Sequence, residues 1–319
     1  MTREKILITG ATGFVGRRLC HRLHQHGYHV VAAVRRRSVE PDPVYEQLLI
    51  PDLTELRDAG LVLKDCHTII HLAARVHIMD EKSANPFAAF RSVNVDATVS
   101  LARQASLQGV RRFVFISSAK VNGESTASKP FSAFDVVAPQ DPYALSKWEA
   151  EQELRKLAQE TNLEVVIVRP PLVYGPGVRA NFLRLMRLVR LGLPLPLGNI
   201  QNRRSMVALD NLIDLLEVCA FHPAAAGQTF MVSDEDDLSI SDLLHRLASC
   251  MGKRILLLPA PERIMTIAAN LTGNSALADR LLGSLQVDIE HTKLTLGWKP
   301  AVSRQEALQE TVAHFLAQH

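Results

Sequence analysis

Tyr143 and Lys147 stand four residues apart, so a helix would carry both on one face. A free phenol has a pKa of ~10 and exchanges protons poorly at neutral pH. An ammonium beside it favours the phenolate and lowers that pKa. Such a pair can pass a proton to or from an alcohol or sugar oxygen while a hydride moves. Taken alone, Tyr-x-x-x-Lys also suits a solvated helix face. Ser117-Ser118 closes an apolar run, and a serine hydroxyl at the carboxyl edge of a sheet can hold the reacting oxygen.

A second run, Thr9-Gly10-Ala11-Thr12-Gly13-Phe14-Val15-Gly16, follows an apolar segment and opens a helical one. Glycines there let the backbone turn tightly and let a phosphate come close, and the helix N-terminus adds free N–H groups and partial positive charge. A pyrophosphate is the natural ligand, and a plain tight turn is the alternative. The next strand ends in Val34-Arg35-Arg36-Arg37, where an acidic residue would favour the ribose of NAD. Arg35 and Arg36 read instead as a clamp for the 2′-phosphate of NADP, or as a solvated basic loop. Asp52 and Leu53, after the following apolar run, are placed beside the adenine.

These groups need a frame. Strands are expected at Lys5–Thr9, His29–Val34, Thr68–Ala73, Arg112–Ser117 and Glu164–Arg169, with helices at Gly16–His26, Phe87–Gln108 and Pro142–Glu160 between them. Alternating strands and helices imply a parallel sheet buried on both faces. The fold class is therefore α/β, a Rossmann-type doubly wound parallel sheet. Further helices at Asn181–Leu191, near Asp210, at Ser239–Met251 and at Arg304–Gln318 suggest a smaller, mostly helical C-terminal lobe that takes the substrate. The division expected is 1–170 for the dinucleotide-binding domain and 171–319 for the substrate lobe, with some later segments returning to the first.

The chain has 319 residues, a net charge of +3 and 47% hydrophobic residues. That composition excludes disorder, a collagen-like fibre and a disulfide scaffold, and the small net charge makes no electrostatic case for nucleic-acid binding, which usually shows as a basic face. Cys20, Cys66, Cys219 and Cys250 lie far apart, so a metal cluster is not expected and free thiols are. His21, His24 and His26 lack carboxylates at metal spacing. With no signal peptide and no apolar run of spanning length, a cytoplasmic protein without membrane insertion is the default. The apolar region Ile255–Leu285 reads as core or packing face, or as a membrane-surface segment short of basic residues.

Taken together, Gly10, Gly13 and Gly16, then Ser118, then Tyr143 and Lys147 have the order and spacing of the extended short-chain dehydrogenase/reductase superfamily, which the chain resembles throughout. His71-Leu72-Ala73-Ala74, Asn94-Val95, the run Arg169–Gly177 and Leu296-Gly297-Trp298-Lys299-Pro300 belong to the same likeness. More narrowly, it resembles the nucleotide-sugar epimerase/dehydratase/reductase group. Ser117–Glu124 is similar to a bacterial UDP-hexose 4-epimerase-like branch, which includes 4-keto reductases making UDP-N-acetyl-quinovosamine for surface polysaccharides such as the O-antigen of lipopolysaccharide.

That resemblance implies Tyr143 as acid/base, Lys147 as the residue that lowers its pKa and binds the nicotinamide ribose, and Ser118 as the group orienting the 4-oxygen. Asn94 would fix the cluster. Thr12, Phe14, Val15, Leu72, Ala73, Ala74, Ser117, Pro170 and Val173 would join the glycines around the cofactor. Arg204 and Asn181 would hold the nucleotide diphosphate, with Arg280 a third candidate. Arg75 and His77 could face the sugar. The family's 4,6-dehydratases carry Asp-Glu after the serine, where this chain has Ala119-Lys120, so dehydration is disfavoured. Lys120 could meet a substrate carbonyl or phosphate, or be solvated. Asn122 replaces a usual tyrosine.

The reading that follows is NADPH-dependent reduction of a UDP-linked 4-keto-6-deoxy-N-acetylhexosamine, with NADP(H) preferred and NAD(H) allowed. The alternative is a UDP-glucose or UDP-N-acetylglucosamine 4-epimerase with tightly held NAD. A non-catalytic regulator would have lost the Tyr/Lys pair, and Arg204 argues against a steroid-like ketone as substrate. The expected partner is a UDP-sugar, and the resemblance leaves a homodimer open.

Overall fold

The computed structural model describes residues 4–36, 45–50, 52–53, 63–76, 86–259 and 282–318. His77, Arg280 and Arg37 lie outside them. Seven parallel strands form the main sheet: β1 (Lys5–Thr9), β2 (His29–Val34), β3 (Glu46–Leu49), β4 (Cys66–His71), β5 (Arg112–Ile116), β6 (Glu164–Arg169) and β9 (Thr229–Met231), in the order β3-β2-β1-β4-β5-β6-β9. Between β6 and β9 in sequence, β7 (Leu172–Tyr174) and β8 (Met206–Ala208) make a separate parallel pair.

Alternation along β1 explains why its middle residues, Ile6-Leu7-Ile8, are all apolar. Ile6 and Ile8 enter one core with Leu19 of α1 (Phe14–Gln25), while Leu7 enters the other with Leu101 and Leu154. A strand buried on both faces cannot afford a polar alternate position. Leu101 lies on α3 (Ala97–Leu107) and Leu154 on α4 (Pro142–Glu160). A short α2 (Pro86–Arg91) runs into α3 through a π-helical turn, Ser92–Asp96. One continuous helix had been expected there; the extra residue of the turn rotates Asn94 inward. Helix α1 starts two residues earlier than expected, because Gly13 has the extended backbone of an N-cap, φ −77° and ψ 177°.

Two segments beyond residue 171 pack on the main sheet. β9 pairs with β6. Helix α6 (Leu209–Phe221) packs Leu212 and Leu216 into the Ile6 core and ties to α1 through Arg18–Asp210 and Arg22–Asp214 ion pairs. The remaining helices, α5 (Ala180–Leu191), α7 (Ile240–Cys250) and α9 (Arg304–Gln318), share a third core containing Phe182, Met186, Leu247 and Phe315. Helix α8 (Glu290–Leu296) packs near β9. Among the described residues no helix is long and apolar enough to cross a membrane, and all four cysteines are free.

Candidate active site

The glycine loop lies at the carboxyl end of β1. Gly10 has φ +68°, and a Cβ there would lie 2.8 Å from the Ala73 nitrogen. A Cβ on Gly16 would lie 2.2 Å from the Gly10 carbonyl oxygen. Only glycine lets the loop, the start of α1 and the end of β4 close to this degree. No side chain caps α1, and its first turn holds no acid. The loop therefore leaves a helix N-terminus open to an anion, which fits a dinucleotide pyrophosphate. Leu72 and Ala73 donate their N–H groups to Thr9, to its carbonyl at 3.2 Å and its hydroxyl at 3.2 Å. This stitches Leu72, Ala73 and Ala74 beside the loop that carries Thr12, Phe14 and Val15. Arg35 and Arg36 follow β2 and are exposed; Asp52 is exposed and Leu53 half-buried.

Helix α4 begins where Asp141 accepts from the Ala144 N–H at 2.7 Å, with Pro142 in its first turn. Tyr143 and Lys147 then share a face as expected, but their protonation is set differently. Burial, aided by Asp141, pushes the Tyr143 phenol up to about 12. Burial pulls the Lys147 ammonium down to about 7, against the charge of Glu151. Desolvation is the largest cause of both shifts, and Lys147 is not among the causes of the Tyr143 shift. Lys147 Nζ donates to the Ile116 carbonyl at 2.7 Å and lies 4.4 Å from the centre of the Phe115 ring.

Asn94, delivered by the π turn, donates to the Ser146 hydroxyl at 2.9 Å and the Arg75 carbonyl at 3.0 Å, and accepts from the Arg75 N–H at 2.7 Å. It binds α4 to the loop after β4. Ser118 and Ser117 face opposite ways. Ser118 lines the cavity and its hydroxyl accepts from the Lys120 N–H at 3.2 Å. Ser117, expected among the cofactor contacts, is buried, and its hydroxyl donates to Glu151 at 2.5 Å. That commitment leaves its side chain facing the protein interior.

A single cavity of about 540 Å³ is lined by Ser118, Lys120, Tyr143, Asn181 and Arg204, with apolar walls that include Leu185 and Leu243. Five of the expected residues therefore meet at one place. Arg75 is half-buried and sits 5.8 Å from the Phe90 ring centre, outside that lining. Pro170 accepts from the Ala119 N–H at 2.9 Å and Val173 packs against the Ile6 core. Arg204 is held by its own hydrogen bond to the Gly283 carbonyl at 2.8 Å. Lys120 is half-buried and engaged, its Nζ meeting Glu124 and Asp141 at 2.6 Å each. Burial raises the Asp141 pKa, but Lys120 and the Ala144 N–H outweigh it, so the carboxyl ends below its ordinary value.

Several site residues had no assigned role in the sequence. Glu151 and Arg169 form a fully buried ion pair behind Lys147, with contacts of 2.5 and 2.9 Å. Asn122 accepts from the same guanidinium at 3.1 Å. His71 bridges Thr9 at 2.8 Å and Thr98 at 3.0 Å, and burial drives its pKa down to about 3, so it stays neutral. Asp141 was legible as an Asp-Pro helix start. Glu151 falls at the same spacing after Lys147 as Lys147 after Tyr143, a signal the sequence offered. Among the described residues no group of three His, Cys, Asp or Glu side chains could hold a metal ion.

Residues 6–232 match the NAD dependent epimerase/dehydratase family. The chain belongs to that family. It is 47% identical over 98% of its length to a UDP-glucose 4-epimerase of Vibrio cholerae, covering 96% of that protein. Among solved structures, an epimerase-like protein of Burkholderia cenocepacia is 25% identical with TM-score 0.79, covering 99% of each chain. A UDP-glucuronic acid 4-epimerase of Bacillus cereus, solved with NAD, has TM-score 0.80 at 21% identity, over 98% of this chain and 99% of that one. The extended short-chain dehydrogenase/reductase fold and an enzyme of the nucleotide-sugar epimerase type follow from this membership, as the sequence implied.

Proposed function

We propose that the protein is a UDP-hexose 4-epimerase working with NAD. The observation that carries the choice over net reduction is the 47% identity, across nearly the whole chain, to a UDP-glucose 4-epimerase. The cavity supports it chemically. Bound at the glycine loop, the dinucleotide would supply the hydride acceptor and donor for C4. Ser118 and Tyr143 would bracket the 4-oxygen, Ser118 orienting it and Tyr143 taking and returning its proton. Asn181 and Arg204 would anchor the diphosphate at a distance from the sugar. The leucines of the wall offer the sugar hydroxyls no hydrogen bonds, which suits a keto sugar that turns over while the diphosphate stays held. Lys147 and Asn94 would hold the cofactor side of the cluster.

One feature favours a second reading. The exposed Arg35 and Arg36 suit a 2′-phosphate, and a net reduction of a UDP-linked 4-keto-6-deoxy-N-acetylhexosamine would draw on NADPH. Purified protein given NAD and UDP-glucose should form UDP-galactose to equilibrium, with no net change in nicotinamide absorbance. Stoichiometric oxidation of NADPH by the keto sugar, without interconversion of the hexoses, would replace the epimerase by the reductase.

A further inference from the structure

The stretch from Arg179 to Leu209 contains six arginines and no aspartate or glutamate. Within it, α5 turns Phe182, Leu185, Met186 and Val189 inward, and leaves Arg187, Leu188 and Leu191 on its outer side. Gly192, at φ +67°, stops the helix and directs Leu193 outward. A second strand-like segment then joins the same surface. Leu195 donates to the Leu256 carbonyl at 3.0 Å and accepts from Leu258 at 2.8 Å, while Lys253 Nζ donates to the Arg190 carbonyl at 2.6 Å. Leu191, Leu193 and Leu256 are 65%, 58% and 57% exposed, with Lys253 and Arg254 exposed beside them.

Single exposed leucines are ordinary, but a contiguous cluster ringed by cations is not. Among the described residues no ion pair engages Arg187, Lys253 or Arg254. The patch is also continuous with the active site, since Leu188 is at once part of it and part of the cavity wall. A second copy of the chain is a poor occupant: a two-fold contact would set these cations against one another. An anionic surface that also accepts leucines complements both features. Leucines enter the headgroup–acyl boundary while the cations stay at the phosphates.

We infer that this face is a peripheral docking surface for an anionic phospholipid bilayer, holding the mouth of the cavity at the membrane surface. The inference does not depend on which sugar is turned over. It is tested by sedimenting the full-length protein with vesicles of phosphatidylcholine alone, or of phosphatidylcholine mixed with phosphatidylglycerol. The protein should pellet with the mixed vesicles only, and high salt should weaken this. Arg187→Glu with Arg254→Glu, and separately Leu191→Ser with Leu193→Ser, should each cut partitioning by at least about tenfold. Both should keep the wild-type thermal midpoint. No pelleting with the mixed vesicles, equal pelleting with phosphatidylcholine alone, or a leucine variant that pellets like the wild type overturns the inference. So does concentration-dependent self-association that the leucine variant abolishes, which would assign the face to a second copy.

Discussion

The Glu151–Arg169 pair offers the sharpest test of how the site is held. Glu151 is fully enclosed and Arg169 nearly so. The guanidinium reaches the carboxylate twice, at 2.9 and 2.5 Å, and the Ser117 hydroxyl adds a third donor at 2.5 Å. Glu151→Gln leaves the Arg169 charge buried against only neutral acceptors such as Asn122. Such an uncompensated charge costs about 3–5 kcal/mol. Arg169→Met should cost less, because Arg155 still reaches the Glu151 carboxylate at 3.4 Å. The double variant removes both buried charges at once, so its cost should fall short of the sum by at least about 2 kcal/mol. Urea unfolding followed by tryptophan fluorescence measures all three, because Trp148 lies 6.0 Å from the Arg169 guanidinium. Single variants within about 1 kcal/mol of wild type, or an additive double variant, would refute the coupling. Glu151 also favours the charged form of Lys147. In Glu151→Gln the alkaline limb of a turnover profile that needs the ammonium should therefore move to lower pH.

Lys147→Met should stabilise the protein most at and below neutral pH. The Lys147 pKa drops from 10.5 to about 7 on folding, so the unfolded chain binds the extra proton between these values and wild-type stability rises with pH across that window. The variant's advantage should fade as pH climbs towards 10.5, and unfolding at pH 6 and pH 10 (about either side of the window) compares the two. Tyr143→Phe should abolish turnover and leave dinucleotide affinity intact by fluorescence titration; retained turnover would remove the acid/base role. Arg35→Ala with Arg36→Ala should weaken NADP(H) by about tenfold or more and leave NAD within about twofold. Equal effects on the two would reduce the arginines to a solvated loop.

The sheet was readable where apolar runs were long and continuous. β1, β2 and β6 fall on the residues expected, because strands buried on both faces leave no polar interruption to blur their ends. Helix α4 was equally clear, its start fixed by Asp141-Pro142 and its length by nineteen residues without glycine. β7, β8 and β9 were not readable as strands: each has three residues, and their partners lie far away in sequence. The π turn at Ser92–Asp96 was hidden because one inserted residue barely disturbs a helical pattern. Lys120 and Asn122 were visible only as departures from a family pattern. Their partners, Asp141 and Arg169, lie 21 and 47 residues on, and only the fold brings those together.

Ser117 and Ser118 show how little separates a site residue from a structural one. They are adjacent, alike, and point to opposite sides of one strand end. One meets the cavity and the other meets a buried carboxylate. The same local logic governs the Tyr/Lys pair. Spacing alone suggests an ammonium coaxing a phenol towards phenolate. Enclosure does the opposite to each, moving the phenol up to about 12 and the ammonium down to about 7. Between those values both groups are neutral, so Lys147 brings no positive charge to favour the Tyr143 phenolate.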